Sequence, residues 1–599
     1  MVTSPNPEER SIGRAELIML VAVALLGAGL RAWKFSALGL GLFDEGVYAI
    51  SGYWALPHAP GEGLYPWQIY FSPPLYFLLV GVAYRLFGGA SDHAAILVNV
   101  VLGSATIPLA WWFARRWFGP AAGMSAAVWV TLSDFHIQYS RIAATDIALG
   151  FFYLLSLAVI ARAFQDGSLR WAVLSGLAVG AAWNAKYNGW LPLEVAFVVL
   201  LALAVLRAVE TPLLARLFLS WAMMCAVAVL CILPWVIYTR SSPGGFLAII
   251  ELISLNLNAH WTQNLWRHIE MQVYLDGWAS RISPAVAFLA VIVARHERRG
   301  IHPAAACLAL GVLLGAGFVW GGTLTACLAS ILSLPLLLRR DTPAGWMLAA
   351  SWGVLFTMTP FYRPFPRLLM PFVLTAQVAS AAGMAWLCSE GPICKPMQKE
   401  TSRQKLLWGL SLAAVLFAAL AVWVGVRPVP RTWQSSDSVR RAVDSMVTRV
   451  PQGSLVFVDV APEVAFYFRG HGYRTMPVNR LITFQTGFNV WKYPGAEPHF
   501  LVVGGLALSL ADSRESLNYF GKYLVPVGHY SMEPSDLRLL EDLAPAVVLE
   551  YRRHPTHDND LHLYRIIPET SWGRRYGASF LPFDSSTRRS NSISKRLGP

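Results

Sequence analysis

The sequence predicts a polytopic α-helical membrane protein with a small external α/β domain at its C-terminal end. Three observations lead there. Of 599 residues, 55% are hydrophobic and only 14% charged, with a mean hydropathy of +0.46, a balance that suits a lipid-facing chain. Apolar runs of span length recur from residue 16 to residue 427. Beyond Pro428 and Pro430, which break the last run, short apolar stretches alternate with polar ones.

The net charge of +13 does not point to nucleic acid, because Lys and Arg punctuate the apolar runs instead of forming one basic face. The 24 Trp and 21 Tyr suit interfacial aromatic belts. Cys225, Cys231, Cys307 and Cys327 fall inside apolar runs, and Cys388 and Cys394 at or just past the end of one. With no C-x-x-C pair, neither a zinc knuckle nor a disulfide framework is expected.

Thirteen segments read as membrane spans: 16–32, 92–114, 119–134, 143–164, 170–186, 189–207, 214–238, 283–295, 302–318, 322–338, 344–360, 367–388 and 405–427. The first lacks a small-residue cleavage site before Arg31 and reads as a retained anchor. Segment 74–88 needs arbitration. Read as an interfacial or re-entrant helix, it leaves Arg115-Arg116, Arg162/Arg170, Arg207/Arg216, Arg295/Arg298/Arg299, Arg339-Arg340 and Lys395/Lys399/Arg403/Lys405 on one side. Positive-inside bias makes that side cytoplasmic. The N-terminus is then cytoplasmic and the C-terminus external. The long loops 33–91 and 239–282, rich in Pro and aromatics, fall outside, where short interfacial helices are expected.

The external part follows the same logic. From Ser435 an apolar stripe of Val439, Ala442, Val443, Met446, Val447 and Val450 predicts an amphipathic helix, with Ser436 or Asp437 as its cap. Leu455–Val460, Phe500–Val503, Ala546–Leu549 and Leu561–Ile566 read as strands. The expected organisation is a catalytic membrane domain over 1–428, an external α/β domain over 429–583 and a disordered basic tail over 584–599.

Ionisable residues that positive-inside bias does not explain gather on the external side. Asp44 and Glu45 follow the first span; a carboxylate in a partly dry cavity suits a general base, while the plain alternative is a solvated pair or a helix cap. Asp146 opens a span and has three readings: it positions Asp44, binds a sugar hydroxyl, or helps Asp44 hold a divalent cation. Arg141 and Lys186 are candidate phosphate contacts, each with simple snorkelling as the alternative. Arg363 and Arg367 beside Tyr362 form a candidate clamp for a phosphate leaving group, against a merely basic proline-rich turn. A transporter would more often place such groups at mid-membrane on broken helices.

Several of these residues lie in ordered motifs: Phe43-Asp44-Glu45-Gly46-Val47-Tyr48-Ala49, Ser72-Pro73-Pro74-Leu75-Tyr76, Leu86-Phe87-Gly88, Ala114-Arg115-Arg116-Trp117-Phe118-Gly119 and Tyr139-Ser140-Arg141-Ile142-Ala143-Ala144-Thr145-Asp146. Through them the chain resembles the GT-C class of polyprenyl-phosphate-sugar-dependent glycosyltransferases, and within it the superfamily of protein O-mannosyltransferases and lipid A aminoarabinose transferases. The resemblance covers roughly residues 10–190; from 190 to 390 the span pattern and Tyr362–Arg367 support it.

It implies an inverting transfer of a sugar from a polyprenyl-phosphate carrier to a lipid, glycan or protein acceptor on the periplasmic or extracellular face. It implies Asp44 as the catalytic carboxylate with Glu45 beside it, Asp146 in support, and Arg141, Lys186 and Arg367 on the donor phosphate. Tyr48, Tyr139, Tyr362 and Arg363 complete the expected binding set. Thirteen spans with an external α/β domain look like the aminoarabinose-transferase arrangement, which implies a bacterial inner membrane. Where those transferases carry Glu-Lys before the Pro-Pro, this chain has Phe71-Ser72, and Trp111-Trp112 is followed by Phe113 and not by the Asp of oligosaccharyltransferases. A lipid or solute transporter without covalent chemistry is the alternative function.

Overall fold

The computed structural model describes residues 12–53, 72–240, 245–254, 259–295, 303–339, 342–389, 437–459, 461–477, 499–504, 524–533 and 560–566, with isolated positions between them. The helices of the membrane part are α1 (Arg14–Ala32), α2 (Phe43–Gly52), α3 (Leu75–Leu86), α4 (Asp92–Phe118), α5 (Pro120–Thr131), α6 (Asp134–Tyr139), α7 (Thr145–Asp166), α8 (Leu169–Ala185), α9 (Leu191–Val205), α10 (Thr211–Thr239), α11 (Gly245–Ser254), α12 (Trp261–Leu275), α13 (Trp278–Arg295), α14 (Pro303–Trp320), α15 (Gly322–Arg339), α16 (Pro343–Met358) and α17 (Met370–Ser389). Twelve of the thirteen expected spans are therefore helical, and the thirteenth, 405–427, lies outside the described residues.

Among the described residues, seven helical stretches are long and apolar enough to cross a membrane, or eight if α12 and α13, bent by 89° at their junction, count as one. The chain is an integral membrane protein on that basis. Of the remaining helices in expected spans, α5 falls clearly short of the segment 119–134 that the sequence pattern implied. The 12 residues of α5 rise only about 18 Å, against about 30 Å of hydrocarbon. The same shortfall holds for the 12 residues of α3, the segment read as interfacial or re-entrant. Loop 33–91 contains α2 and α3, and loop 239–282 contains α11, α12 and the start of α13.

Small residues let the spans approach. A Cβ on Gly176 of α8 would lie 2.8 Å from the carbonyl oxygen of Met224 in α10, and one on Gly180 would lie 2.5 Å from the Cβ of Cys231. In lipid, where apolar side chains gain little by meeting, such backbone contact supplies much of the packing energy. The cysteines of the described residues are free thiols.

The C-terminal part contains α18 (Ser438–Val447) and α19 (Pro462–Gly470) beside a five-stranded sheet. Its strands are β1 (Leu455–Asp459), β2 (Arg474–Pro477), β3 (His499–Val503), β4 (Leu524–Tyr530) and β5 (Leu561–Ile566), in the order β2-β1-β3-β5-β4. β2, β1 and β3 are parallel, whereas β5 runs antiparallel to both β3 and β4. β1 and β3 are buried along their whole length, as strands covered on both faces must be. The apolar stripe of α18 is buried at Val439, Ala442, Val443 and Met446.

Three expectations change here. Val548, from the stretch expected as strand 546–549, is helical, because a four-residue apolar run fits either period. Asp437 sits at the N-cap of α18 but bonds Arg440 and Arg441 instead of the helix N–H groups. β2 and β4 escaped the sequence reading: each carries a proline, Pro477 and Pro526, that argues against a strand. The tail 584–599 lies outside the described residues.

The α8–α10 contact yields a first test. Gly176→Val forces a side chain onto backbone and should cost about 1–3 kcal/mol. A lower melting temperature in detergent is expected, and an unchanged one would show that the two helices are not held in this contact.

Candidate active site where two helix starts meet

The segment Leu38–Leu42 runs into α2 with Leu38, Leu40 and Leu42 buried. Asp44 and Glu45 stand in the first turn of α2, where exposed N–H groups favour carboxylates. They face different surroundings. Glu45 is buried, at 1% exposure. One of its oxygens, Oε2, accepts from the N–H groups of Gly41 (2.8 Å) and Leu42 (2.9 Å), and Oε1 accepts from Ala143 N–H (2.9 Å). Burial pushes its carboxyl up to about 7, against the downward pull of the three donors. Glu45 thus ties the start of α2 to the turn between α6 and α7.

That turn is fixed from the other side. The Asn99 side chain of α4 donates to the carbonyls of Ile142 and Ala144, both at 2.6 Å. Two residues later Asp146 stands in the first turn of α7. Its Oδ1 pairs with Lys186 Nζ at 2.5 Å. Lys186 ends α8 in extended geometry before a 3-10 turn over Tyr187–Trp190, which turns its side chain toward α7.

Asp44 meets a second cation. Its Oδ2 accepts from Nη1 of Arg367, and both side chains keep some exposure, 16% and 17%. Arg367 sits in the 3-10 turn Pro366–Leu369, with its guanidinium 5.2 Å from the Phe365 ring centroid. The turn 360–367 is held by α12: Asn264 donates to the Pro360 carbonyl (2.8 Å) and Gln272 to that of Pro366 (3.3 Å). Asn264, His268 and Gln272 are spaced four apart and all buried, so α12 turns one polar stripe inward.

Tyr48, one turn beyond Asp44, is buried with its ring edge-on to Tyr76 at 5.5 Å. Burial raises its pKa first; the charges of Asp44 and Asp146 add to the rise and Arg367 opposes it. One tyrosine therefore lies within electrostatic reach of Asp44, Asp146 and Arg367.

The structure gathers Asp44, Glu45, Tyr48, Asp146, Lys186 and Arg367. It places the other expected residues differently. Arg141 is buried and its Nη1 donates to the carbonyls of Trp33 (2.5 Å), Arg31 (3.0 Å) and Leu30 (3.4 Å), so it satisfies the open end of α1. Tyr139 is buried against Phe135 at 5.1 Å. Arg363 is exposed and also lies over Phe365, at 5.6 Å. Tyr362 is half-buried, pairs through its backbone with Leu257, and has its pKa raised by burial. Sequence reasoning did not single out Tyr76, whose hydroxyl is buried without a partner among the described residues, nor Phe365 and Asn99. The only sequence signal for Tyr76 was its place after the Pro73-Pro74 pair.

A divalent cation would need Asp44 and Asp146. Each already faces its own cation, and among the described residues no three His, Cys, Asp or Glu side chains gather to hold a metal. The arrangement does not fit one.

Residues 72–238 match the family model described as dolichyl-phosphate-mannose-protein mannosyltransferase. A comparison with curated protein sequences returns no match. Among solved structures, the chain resembles the oligosaccharyltransferase of Archaeoglobus fulgidus in its apo form, with TM-score 0.52 and 16% identity over 90% of this chain and 78% of that one. The same enzyme tethered to an acceptor peptide containing the NVT sequon gives 0.50 and 15% over 87% and 74%. ArnT from Cupriavidus metallidurans bound to undecaprenyl phosphate aligns at 0.49 and 17% over 92% and 98%. The fold of this chain is the GT-C fold that its motifs led us to expect.

The Glu45 tie has a measurable signature. Its folded pKa of about 7 lies above the usual 4.5. Its contribution to stability is then full below about 4.5 and lost as pH rises through about 7. The melting temperature in detergent should fall between about pH 5 and pH 8. Glu45→Gln, neutral throughout, should flatten that fall, and equal slopes in the two proteins would contradict it.

Proposed function

We propose that the protein is an inverting glycosyltransferase that moves a monosaccharide from a polyprenyl-phosphate carrier to a lipid, glycan or protein acceptor on the external face of the membrane. The observation that carries this reading is the pairing of two carboxylates with two cations at one junction, Asp44 with Arg367 and Asp146 with Lys186. A phosphate donor needs the cations, and a hydroxyl acceptor needs a carboxylate. The family description matched by residues 72–238 supports the donor class. The uneven distribution of Lys and Arg along the chain supports a site on the external face, and the arrangement of spans followed by a C-terminal α/β domain supports a bacterial inner membrane.

In this mechanism the acceptor oxygen attacks the anomeric carbon from the side opposite the phosphate. Asp44 takes the acceptor proton. The bond from the anomeric carbon to the phosphate oxygen breaks, and its electrons leave with the polyprenyl phosphate. Arg367 and Lys186 receive that charge, so each trades part of its carboxylate contact for the phosphate. The attack inverts the anomeric centre. If the acceptor is itself a phosphate, no base is needed and Asp44 orients it. Glu45 holds Asp44 in place, Asp146 sets Lys186, and Tyr48 lines the wall. Tyr362 and Arg363 extend the phosphate-binding edge, whereas Arg141 and Tyr139 support the turn that carries Asp146.

Membranes supplied with polyprenyl-phosphate sugars labelled in the sugar, mannose and aminoarabinose among them, test the reading by counting label in lipid, glycan and protein fractions. With the wild-type protein, label should enter one fraction; label that crosses the bilayer without covalent transfer would instead establish the transporter. Asp44→Asn should lower transfer by about 10²–10⁴-fold, and Arg367→Ala by about 10²–10³-fold, both at normal expression. Wild-type turnover in Asp44→Asn would refute the assigned base.

A further inference from the structure

The helix that carries Asp44 and Glu45 is gripped from outside the membrane part. We propose that the C-terminal α/β domain is a positioning element of the active site, seating α2 through Gly46, Asp92, Arg440 and Tyr467. This rests on the glycosyltransferase reading above.

Four contacts converge on residues 36–53. The first is a backbone approach: a Cβ on Gly46 would lie 2.1 Å from the Glu463 nitrogen and 2.4 Å from the Pro462 carbonyl carbon. Only a glycine lets the first turn of α19 reach α2 here, two residues from Asp44. The second is Tyr467 of α19. Its hydroxyl accepts from Leu40 N–H (2.7 Å) and donates to Asp92 Oδ2 (2.9 Å). The third is Arg440 of α18, which donates to the same Asp92 oxygen (2.9 Å) and to the carbonyls of Leu38 (3.3 Å) and Ser36 (3.4 Å). The fourth lies at the far end of α2, where the rings of Phe466 and Tyr53 stand 5.9 Å apart.

These contacts continue the bonds of the site itself. The N–H groups of Leu40, Gly41 and Leu42 are bound in succession by Tyr467, Glu45 and Glu45. The C-terminal domain thus completes the set of donors and acceptors that defines where α2 begins. On the opposite side Tyr84 of α3 donates to the Ala49 carbonyl (2.9 Å), and a Cβ on Gly52 would lie 2.6 Å from Val80. Helix α2 is wedged between α3 and α19, with the turn at Ala143 closing its start. Removal of one wall leaves Asp44 attached but free to swing against Arg367.

The test uses the full chain in lipid nanodiscs, with the labelled polyprenyl-phosphate sugar as donor and deuterium exchange as a second readout. Tyr467→Phe keeps the ring and removes both hydroxyl bonds. It should lower kcat about 10-fold with the donor KM within about twofold, and speed exchange over 36–53 while β1 and the melting temperature hold. Gly46→Ala should lower kcat further, and Arg440→Lys should retain more activity than Arg440→Ala. A wild-type kcat in Tyr467→Phe, or unchanged exchange over 36–53, overturns the proposal. If the wild-type protein transfers no sugar from any such donor, the functional reading fails instead. Exchange over 36–53 in Tyr467→Phe then decides alone: faster exchange supports the seating of α2, and unchanged exchange rejects it.

Discussion

A buried carboxylate holds this site together. Glu45 binds two N–H groups of its own chain turn and one from Ala143, 98 residues away in sequence. Taking a carboxylate out of water is costly, and three converging donors offset much of that cost. The geometry that results is not optional. With Glu45 fixed, Asp44 projects beside it, and the turn that holds Ala143 delivers Asp146 three residues on. The acid patch after the first span and the acid at the start of α7 become one site because one side chain bonds to both segments.

Each acid then meets a cation from a third region. Lys186 comes from the end of α8, and Arg367 from a turn beyond α16. Partly buried pairs of this kind are charge-neutral, so neither acid is left in the fold as an uncompensated charge. In the proposed transfer the same pairs redistribute as the donor phosphate, singly charged while it carries the sugar, gains its second charge on leaving. Their strength in a medium of lowered polarity is what makes redistribution worth measurable rate.

Much of this was legible in the sequence, and the reasons for the rest are physical. Hydropathy locates helices well because lipid forces every backbone group into internal bonding, and twelve expected spans are helical. It locates ends less well: α5 stops at Thr131, although the segment read as a span runs on through Leu132 and the buried Ser133. The acids, Lys186 and Arg367 stood out because they broke the charge trend expected from positive-inside bias. Arg141 stood out for the same reason, but residue type cannot tell a phosphate contact from the closure of a helix end, and its bonds go to α1. Asn99, Tyr84 and Asp92 gave no signal at all. Each acts through a backbone carbonyl or a distant partner that only the fold brings near. In the C-terminal domain the buried strands β1 and β3 were readable from their apolar runs, while β4, with Pro526 and Gly528, looked like a loop.

The clasp of α12 on the turn at Pro360–Pro366 has a different import. Asn264 and Gln272 hold main-chain oxygens there, not side chains. A grip on the main chain is indifferent to which side chains the turn displays. Side chains of the turn beside Arg367 can therefore be exchanged while its main chain stays in place.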